Sequence, residues 1–253
     1  TQYKISVAAG TLDVFKQKDE KGLSAIDRTS ELDPQLNIGP YEALIEISGK
    51  RQPALPVELV NLKTLKVKLW HLTLAEMALG VANDDTRFAA QLSRPADSDE
   101  DVALTYPRNQ ARVHGVELSK LFNGKPGGFA LVALQSPELP RYGRANEMTT
   151  FRSLVQVTDL AVHIKVAPKK SLAWVTRLST GEPVPGAAMT VFNQTGKQLW
   201  TGTTDAQGFA DVPGTVDLKL KSAEESWEFP KVVVTAEKDG DQAVTVNTWS
   251  SGI

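Results

Sequence analysis

Leu65-Lys66-Val67-Lys68-Leu69-Trp70 alternates apolar and polar residues without a break. A strand sends successive side chains to opposite faces. This run therefore predicts a strand with one face in a core and the other in water, the habit of an antiparallel sheet. Outward from it, the same period-two pattern, rich in Val, Thr, Leu and Ile, recurs over residues 43–48, 64–72, 128–134, 153–158, 161–166, 172–178, 187–192, 231–237 and 243–248. Between residues 74 and 92 the period changes. Met77, Ala78, Val81, Phe88, Ala89 and Leu92 fall at helical spacing, so one or two short helices are expected between strands.

Turn chemistry sets the spacing of the strands. Ser179-Thr180-Gly181-Glu182-Pro183-Val184-Pro185-Gly186 must leave any sheet, because proline cannot donate to a ladder. Asn193-Gln194-Thr195-Gly196 and Asp205-Ala206-Gln207-Gly208 read as hairpin connections. Short strands at this spacing predict a sandwich of about seven strands in the last hundred residues. The fold class is all-β, with tandem antiparallel β-sandwiches and a short helical insert. Polar, Pro-rich Gly49-Lys50-Arg51-Gln52-Pro53-Ala54-Leu55-Pro56 marks one boundary, and Thr158-Asp159, where two strand runs abut, marks another. The expected units are an incomplete N-terminal β unit over 1–50 and sandwiches over 51–157 and 158–253. Residues 1–50 are too few for a sandwich and stand either as a small β unit or as strands added to the second segment.

Composition narrows the function. At 253 residues the chain has room for about two domains. The 41% hydrophobic and 23% charged content excludes intrinsic disorder and collagen-like repeats. The 28 Lys+Arg and 30 Asp+Glu nearly cancel, leaving no basic surplus to hold a phosphate backbone, so nucleic acid is not an expected partner. No apolar run reaches the ~18 residues of a membrane span. Cysteine is absent, which excludes disulfides, thiolate metal sites and a cysteine nucleophile. Thr1 is not a natural start, so the chain reads as a processed or excised segment.

No grouping carries catalysis. His71, His114 and His163 are far apart, and neither HExxH nor Gly-x-Ser-x-Gly occurs. Asp97-Ser98-Asp99-Glu100-Asp101 has carboxylates that could meet Ca²⁺ but lacks the glycine and distal glutamate of an EF-hand loop, and reads as a solvated acidic loop. Gly124-Lys125-Pro126-Gly127-Gly128 is a turn rather than a phosphate loop, since Pro126 removes a donor and a strand follows. Asn193-Gln194-Thr195 matches a glycosylation sequon inside a tight turn. Trp70, Trp174, Trp200, Trp227 and Trp249 lie one per strand or strand end and are expected as core anchors. Catalytic, cofactor and metal residues are accordingly none, and no enzyme is expected.

Two successions of motifs have a familiar order. Arg152-Ser153-Leu154-Val155-Gln156-Val157-Thr158-Asp159-Leu160 is followed by Leu172-Ala173-Trp174-Val175-Thr176-Arg177-Leu178-Ser179-Thr180-Gly181-Glu182-Pro183-Val184-Pro185-Gly186-Ala187 and then by Thr203-Thr204-Asp205-Ala206-Gln207-Gly208-Phe209-Ala210. Upstream, Leu55-Pro56-Val57-Glu58-Leu59-Val60 leads into the Leu65 strand, and Val116-Glu117-Leu118-Ser119-Lys120-Leu121-Phe122-Asn123-Gly124-Lys125-Pro126-Gly127-Gly128-Phe129 enters the last strands. Both resemble macroglobulin-like domains of the bacterial alpha-2-macroglobulins, and together they cover most of residues 51–253. The resemblance implies scaffold domains of a large periplasmic protein that traps proteases after they cut a bait region. It implies proteases and neighbouring macroglobulin-like domains as partners, with a peptidoglycan synthase as a further one. Without cysteine the chain cannot contain the family's Cys–Gln thioester, and it shows no bait-like segment. The rival readings are an Ig-like stalk or adhesin and, third, an ancillary sugar-binding module of an enzyme. The helical insert and the dissimilarity of the two domains favour the first reading over a stalk of near-identical repeats.

Overall fold

The computed structural model describes residues 2–47, 52–83, 88, 92, 94–142, 147–220 and 231–247. The chain opens with a hairpin of β1 (Gln2–Val7) and β2 (Leu23–Arg28), in register with Val7 opposite Leu23. Tyr3, Ile5, Val7 and Leu23 share one face of it, yet every residue of both strands is exposed. A two-stranded hairpin is at best marginally stable alone, and among the described residues nothing covers the apolar face of this one.

A sandwich follows. Its strands are β3 (Gln35–Asn37), β4 (Glu42–Glu46), β5 (Ala54–Val60), β6 (Thr64–Leu72), β7 (Ser98–Ala103), β8 (Arg112–Glu117), β9 (Gly128–Gln135) and β12 (Phe151–Thr158); helix α1 (Leu74–Ala82) follows β6, and the small pair β10 (Arg141–Tyr142) and β11 (Glu147–Met148) precedes β12. One sheet has the order β4-β12-β9-β6-β7 and the facing one β3-β5-β8. All these pairs are antiparallel except β4 with β12. Residues 35–46 thus lie in the two sheets of this sandwich. Leu65, Val67 and Leu69 point inward as their alternation requires, against Leu55, Val57 and Leu59 from the facing sheet. Each such side chain contributes about 1.5–3 kcal/mol on burial.

Of the stretch expected as a solvated acidic loop, Ser98 to Asp101 form a strand instead, with Asp97 just before it. In β7, Asp99 and Asp101 lie on the outer face, paired with Lys68 at 2.9 Å and Lys66 at 3.0 Å across the ladder. Charge on an outermost strand is a known guard against edge-to-edge pairing, so an acidic run is compatible with strand structure at this position. Gly127 closes the turn into β9: a Cβ there would lie 2.1 Å from the Val157 carbonyl oxygen.

The second sandwich pairs a three-stranded sheet, β13 (Leu160–Lys165), β14 (Lys170–Arg177) and β17 (Phe209–Pro213), with a four-stranded one, β16 (Gln198–Thr203), β15 (Ala188–Asn193), β18 (Val232–Lys238) and β19 (Asp241–Val246). Among the described residues these make seven strands, in line with the expected number of about seven. Leu160, Ala173, Val175, Met189, Val191, Val212 and Val234 meet in its core. Its turns are built by side chains. The Thr204 hydroxyl donates to the Val184 carbonyl at 2.6 Å and accepts from the Ala187 amide at 2.8 Å. Asp205 Oδ1 accepts from the amides of Gln207 and Phe209, both at 2.9 Å. Asn193 Oδ1 likewise accepts from the amides of Thr195 and Lys197, which confirms the tight turn at the sequon.

Trp174 does not anchor this core. Ala173 and Val175 take the inward positions of β14, so strand register puts Trp174 on the outer face, 38% exposed. There its ring stacks on Phe209 at 5.6 Å and lies 5.8 Å from His163, and its Nε1 donates to the Gln207 carbonyl at 3.2 Å. Trp70 and Trp200 are half-buried, while Trp227 and Trp249 lie outside the described residues.

Candidate functional site

Among the described residues, no two of the three histidines share a partner, and His163 lies in the other sandwich from His71 and His114. His71 on β6 stands edge-on to Phe122, His114 on β8 faces the Tyr106 hydroxyl at 3.0 Å, and His163 lies beside Trp174. Burial holds the His114 imidazole below its ordinary pKa. Partial burial pushes the Asp97 carboxyl up, but hydrogen bonds from the Arg94 guanidinium at 2.8 Å and the His71 amide at 2.8 Å outweigh it and leave Asp97 below the usual carboxylate range. Among the described residues, no three His, Asp or Glu side chains converge in a way that could hold a metal ion. Of the residues weighed in the sequence for chemistry, His71, His114, Asp97, Ser98 and Glu100 line one cleft of the first sandwich, while His163 lies in the second sandwich.

What the fold does assemble is a joint between the two sandwiches. Helix α1 is its centre. Thr73 caps the helix reciprocally: its hydroxyl accepts from the Glu76 amide at 3.2 Å, and the Glu76 carboxylate accepts from the Thr73 amide at 2.8 Å. At the other end, Asn83 donates through its side chain to the Leu79 carbonyl at 2.8 Å. The buried face of the helix carries Met77, Ala78 and Val81. It packs against Phe129 and Leu154 of the first sandwich and Val233, Val244 and Val246 of the second, in one continuous apolar cluster. Gly80 allows the close approach, since a Cβ there would stand 2.8 Å from Leu154 Cδ1 and 3.2 Å from Phe88.

Polar groups lock the same joint. Gln156 on β12 donates from Nε2 to the Val244 carbonyl and accepts at Oε1 from the Val244 amide, both at 3.1 Å. Its side-chain amide thus occupies the place a neighbouring strand would take beside β19. Asp241 Oδ1 accepts from the Thr158 hydroxyl at 2.8 Å, and Oδ2 accepts from the Asp159 amide at 2.9 Å. Arg177 stands 3.6 Å from Asp159, 3.9 Å from Asp239 and 4.0 Å from Asp241. The Asp159 carboxylate also accepts from the Ser179 amide at 2.8 Å, tying the joint to the turn after β14. A half-buried carboxylate with this many donors fixes direction as well as distance. The strand-on-strand abutment at Thr158-Asp159 was legible in the sequence. The partnership of Gln156 with Val244 and of Thr158 with Asp241 was not, because the partners lie 88 and 83 residues apart.

The whole chain is similar to solved structures of bacterial origin. Residues 157–253 match the family described as the bacterial alpha-2-macroglobulin MG3 domain. Native alpha-2-macroglobulin from Escherichia coli spanning domains MG0-NIE-MG1 is 15% identical, covering 96% of this chain and 74% of that chain with a TM-score of 0.61. The piece of the same protein spanning NIE-MG1 is 16% identical over 86% of this chain and 98% of that chain, with a TM-score of 0.58. A Salmonella alpha-2-macroglobulin mutant is 17% identical over 96% of this chain, with a TM-score of 0.51, and the chain spans 14% of its length. No curated protein matches. These identities speak to fold. They bear out the all-β, macroglobulin-like architecture and the resemblance read from the motifs.

Proposed function

We propose, for a chain whose residues 157–253 form a macroglobulin-like domain of the bacterial alpha-2-macroglobulin family, that its work is to hold neighbouring domains of a protease-trapping protein in a fixed register. The observation that carries this reading is the joint. A module that only strings domains together needs no buried helix, no amide exchange at Gln156 and no carboxylate clamp at Asp241. Inter-domain contacts within a chain are commonly looser and allow relative motion. Here an apolar cluster and a polar lock act on the same surface, which suits a body that must transmit a shape change without flexing.

The reading divides the chain at Thr158-Asp159 and keeps the N-terminal hairpin as an incomplete unit. Its bare apolar face at Tyr3, Ile5, Val7 and Leu23 suits the missing half of a sandwich supplied by a neighbouring domain. The parent protein is read as a periplasmic, broad-range endopeptidase inhibitor, and the chain itself as non-catalytic. The E. coli relative is described in a trypsin-activated form, which supports proteases as the parent's targets.

The test is a protection assay with a serine protease, a metalloprotease and a large protein substrate. The 253-residue chain alone is expected to leave cleavage of the substrate unchanged, while the parent protein slows it. Dose-dependent protection at near-stoichiometric amounts of the chain alone would contradict the scaffold reading.

A further inference from the structure

A cleft of about 630 Å³ opens between the two sheets of the first sandwich, on the side where β7 and β8 end them. Register defines its walls. Val67 lies opposite Glu100 and Leu65 opposite Val102, so Glu100 and Val102 share the inward face of β7. Leu55 lies opposite Val116 and Val57 opposite His114, so these two share the inward face of β8. The floor is apolar, from Val67, Leu69, Val102, Val116 and Leu121.

The backbone beside the cleft is open. No described strand pairs with the outer edge of β8. The Leu118 amide donates to the Pro53 carbonyl at 2.9 Å, which places the bonded pairs of the β5–β8 ladder at 55/116 and 57/114. Pro56, opposite Gly115, fits this phase because it has no N–H to give. Val113, Gly115 and Glu117 therefore turn their N–H and C=O groups away from β5, toward the free edge. The charge of the opening is acidic. Asp97, Glu100 and Glu117 line it with Lys120. Asp97 is engaged by Arg94, whereas Glu100 meets only the Ser98 hydroxyl and, among the described residues, no cation within 4 Å. His114, its pKa lowered by burial, adds no charge at neutral pH. An inward carboxylate on an edge strand disfavours pairing with a second copy, which would bring its own carboxylate. It suits a strand that brings a cation.

We propose that this cleft is a β-augmentation site for an extended peptide segment of a partner protein, carrying two apolar side chains and a Lys or Arg on one face. The segment adds a strand to the free edge of β8, lays its apolar side chains on Val67, Leu69 and Val102, and sets its cation beside Glu100.

The test uses fluorescein-labelled Ac-TVTVTKT-NH2 and its reverse, Ac-TKTVTVT-NH2, titrated with the 253-residue chain and read by anisotropy. At least one order is expected to bind saturably. Glu100→Lys is expected to weaken that binding about tenfold or more and to favour the counterpart with Glu in place of Lys. N-methylation of the peptide amides on the edge facing β8 is expected to weaken it comparably, as is Gly115→Pro, which removes an outward N–H. If Gly115→Pro fails to fold by circular dichroism, the N-methylated peptide tests the same bonds. No saturation below about 1 mM would overturn the proposal. So would binding that neither Glu100→Lys nor N-methylation changes, which would mark charge adsorption on the surface.

Discussion

Gln156 and Val244 exchange two hydrogen bonds of 3.1 Å, one side-chain amide satisfying both main-chain groups of a residue in the other sandwich. The pairing sits at the edge of the apolar cluster formed by α1, Leu154 and Val233, so water is poorly placed to replace it. Breaking it leaves buried backbone groups on β19 unpaired. Gln156→Ala is expected to cost about 1–3 kcal/mol in chemical denaturation. The loss should appear as an earlier transition of the second sandwich, read by probes placed in each half. A change below about 0.5 kcal/mol would mean that solvent satisfies Val244 and that the amide exchange is incidental.

Helix α1 lies so close to β12 that Gly80 has no room for a branched side chain. Gly80→Val is expected to destabilise by about 1–3 kcal/mol through overpacking against Leu154 and Phe88. Gly80→Ala sets a gain of about 1 kcal/mol in helix propensity against a contact that a Leu154 rotamer change relieves, so its net effect should be much smaller. Thermal melts of the two variants side by side check the ordering.

Trp174 makes the opposite case. Its ring is more than a third exposed and stacks on Phe209, so Trp174→Ala is expected to cost about 0.5–1.5 kcal/mol. Leu160→Ala, at a site 1% exposed in the same sandwich, is expected to cost about 2–5 kcal/mol. Denaturant midpoints at constant slope give the comparison. Trp174→Ala costing as much as Leu160→Ala would mean that the outer face is covered.

These variants mark what the sequence could and could not tell. Leu65, Val67 and Leu69 declared their buried face because alternation needs no partner to be read. Turns with Thr204 and Asp205 were legible because the side chain and the backbone it binds are neighbours. Trp174 misled because size and hydrophobicity argue for a core, while strand register, fixed by Ala173 and Val175, decides the face. Asp99 and Asp101 misled because charge reads as loop unless the lysines on the facing strand are known. The joint was invisible for the same reason: Gln156 and Asp241 are ordinary polar residues until the fold brings them to Val244 and Thr158.

Asp97 links stability to pH. Its folded pKa lies below the ordinary value, so the folded state binds the proton less readily than the unfolded chain. A depressed carboxyl contributes stability that is complete above the unfolded pKa, near 4, and is lost as pH falls through the folded pKa. Asp97→Asn should therefore lower the melting temperature at pH 7, and the gap to the unaltered chain should close as pH falls below about 4. A gap that stays constant from pH 7 to pH 2 would place the effect in packing rather than charge.

Helix α1, Gln156 and Asp241 are expected to join the two sandwiches into one rigid body. Residual dipolar couplings distinguish one body from two, because each sandwich reports its own alignment tensor in a single sample. One shared tensor is expected for the described residues of 35–158 and 160–247. The two tensors are expected to diverge in a Gln156→Ala, Asp241→Ala double variant whose sandwiches remain folded. Two different tensors in the unaltered chain would show sandwiches that move independently, and would contradict the rigid scaffold.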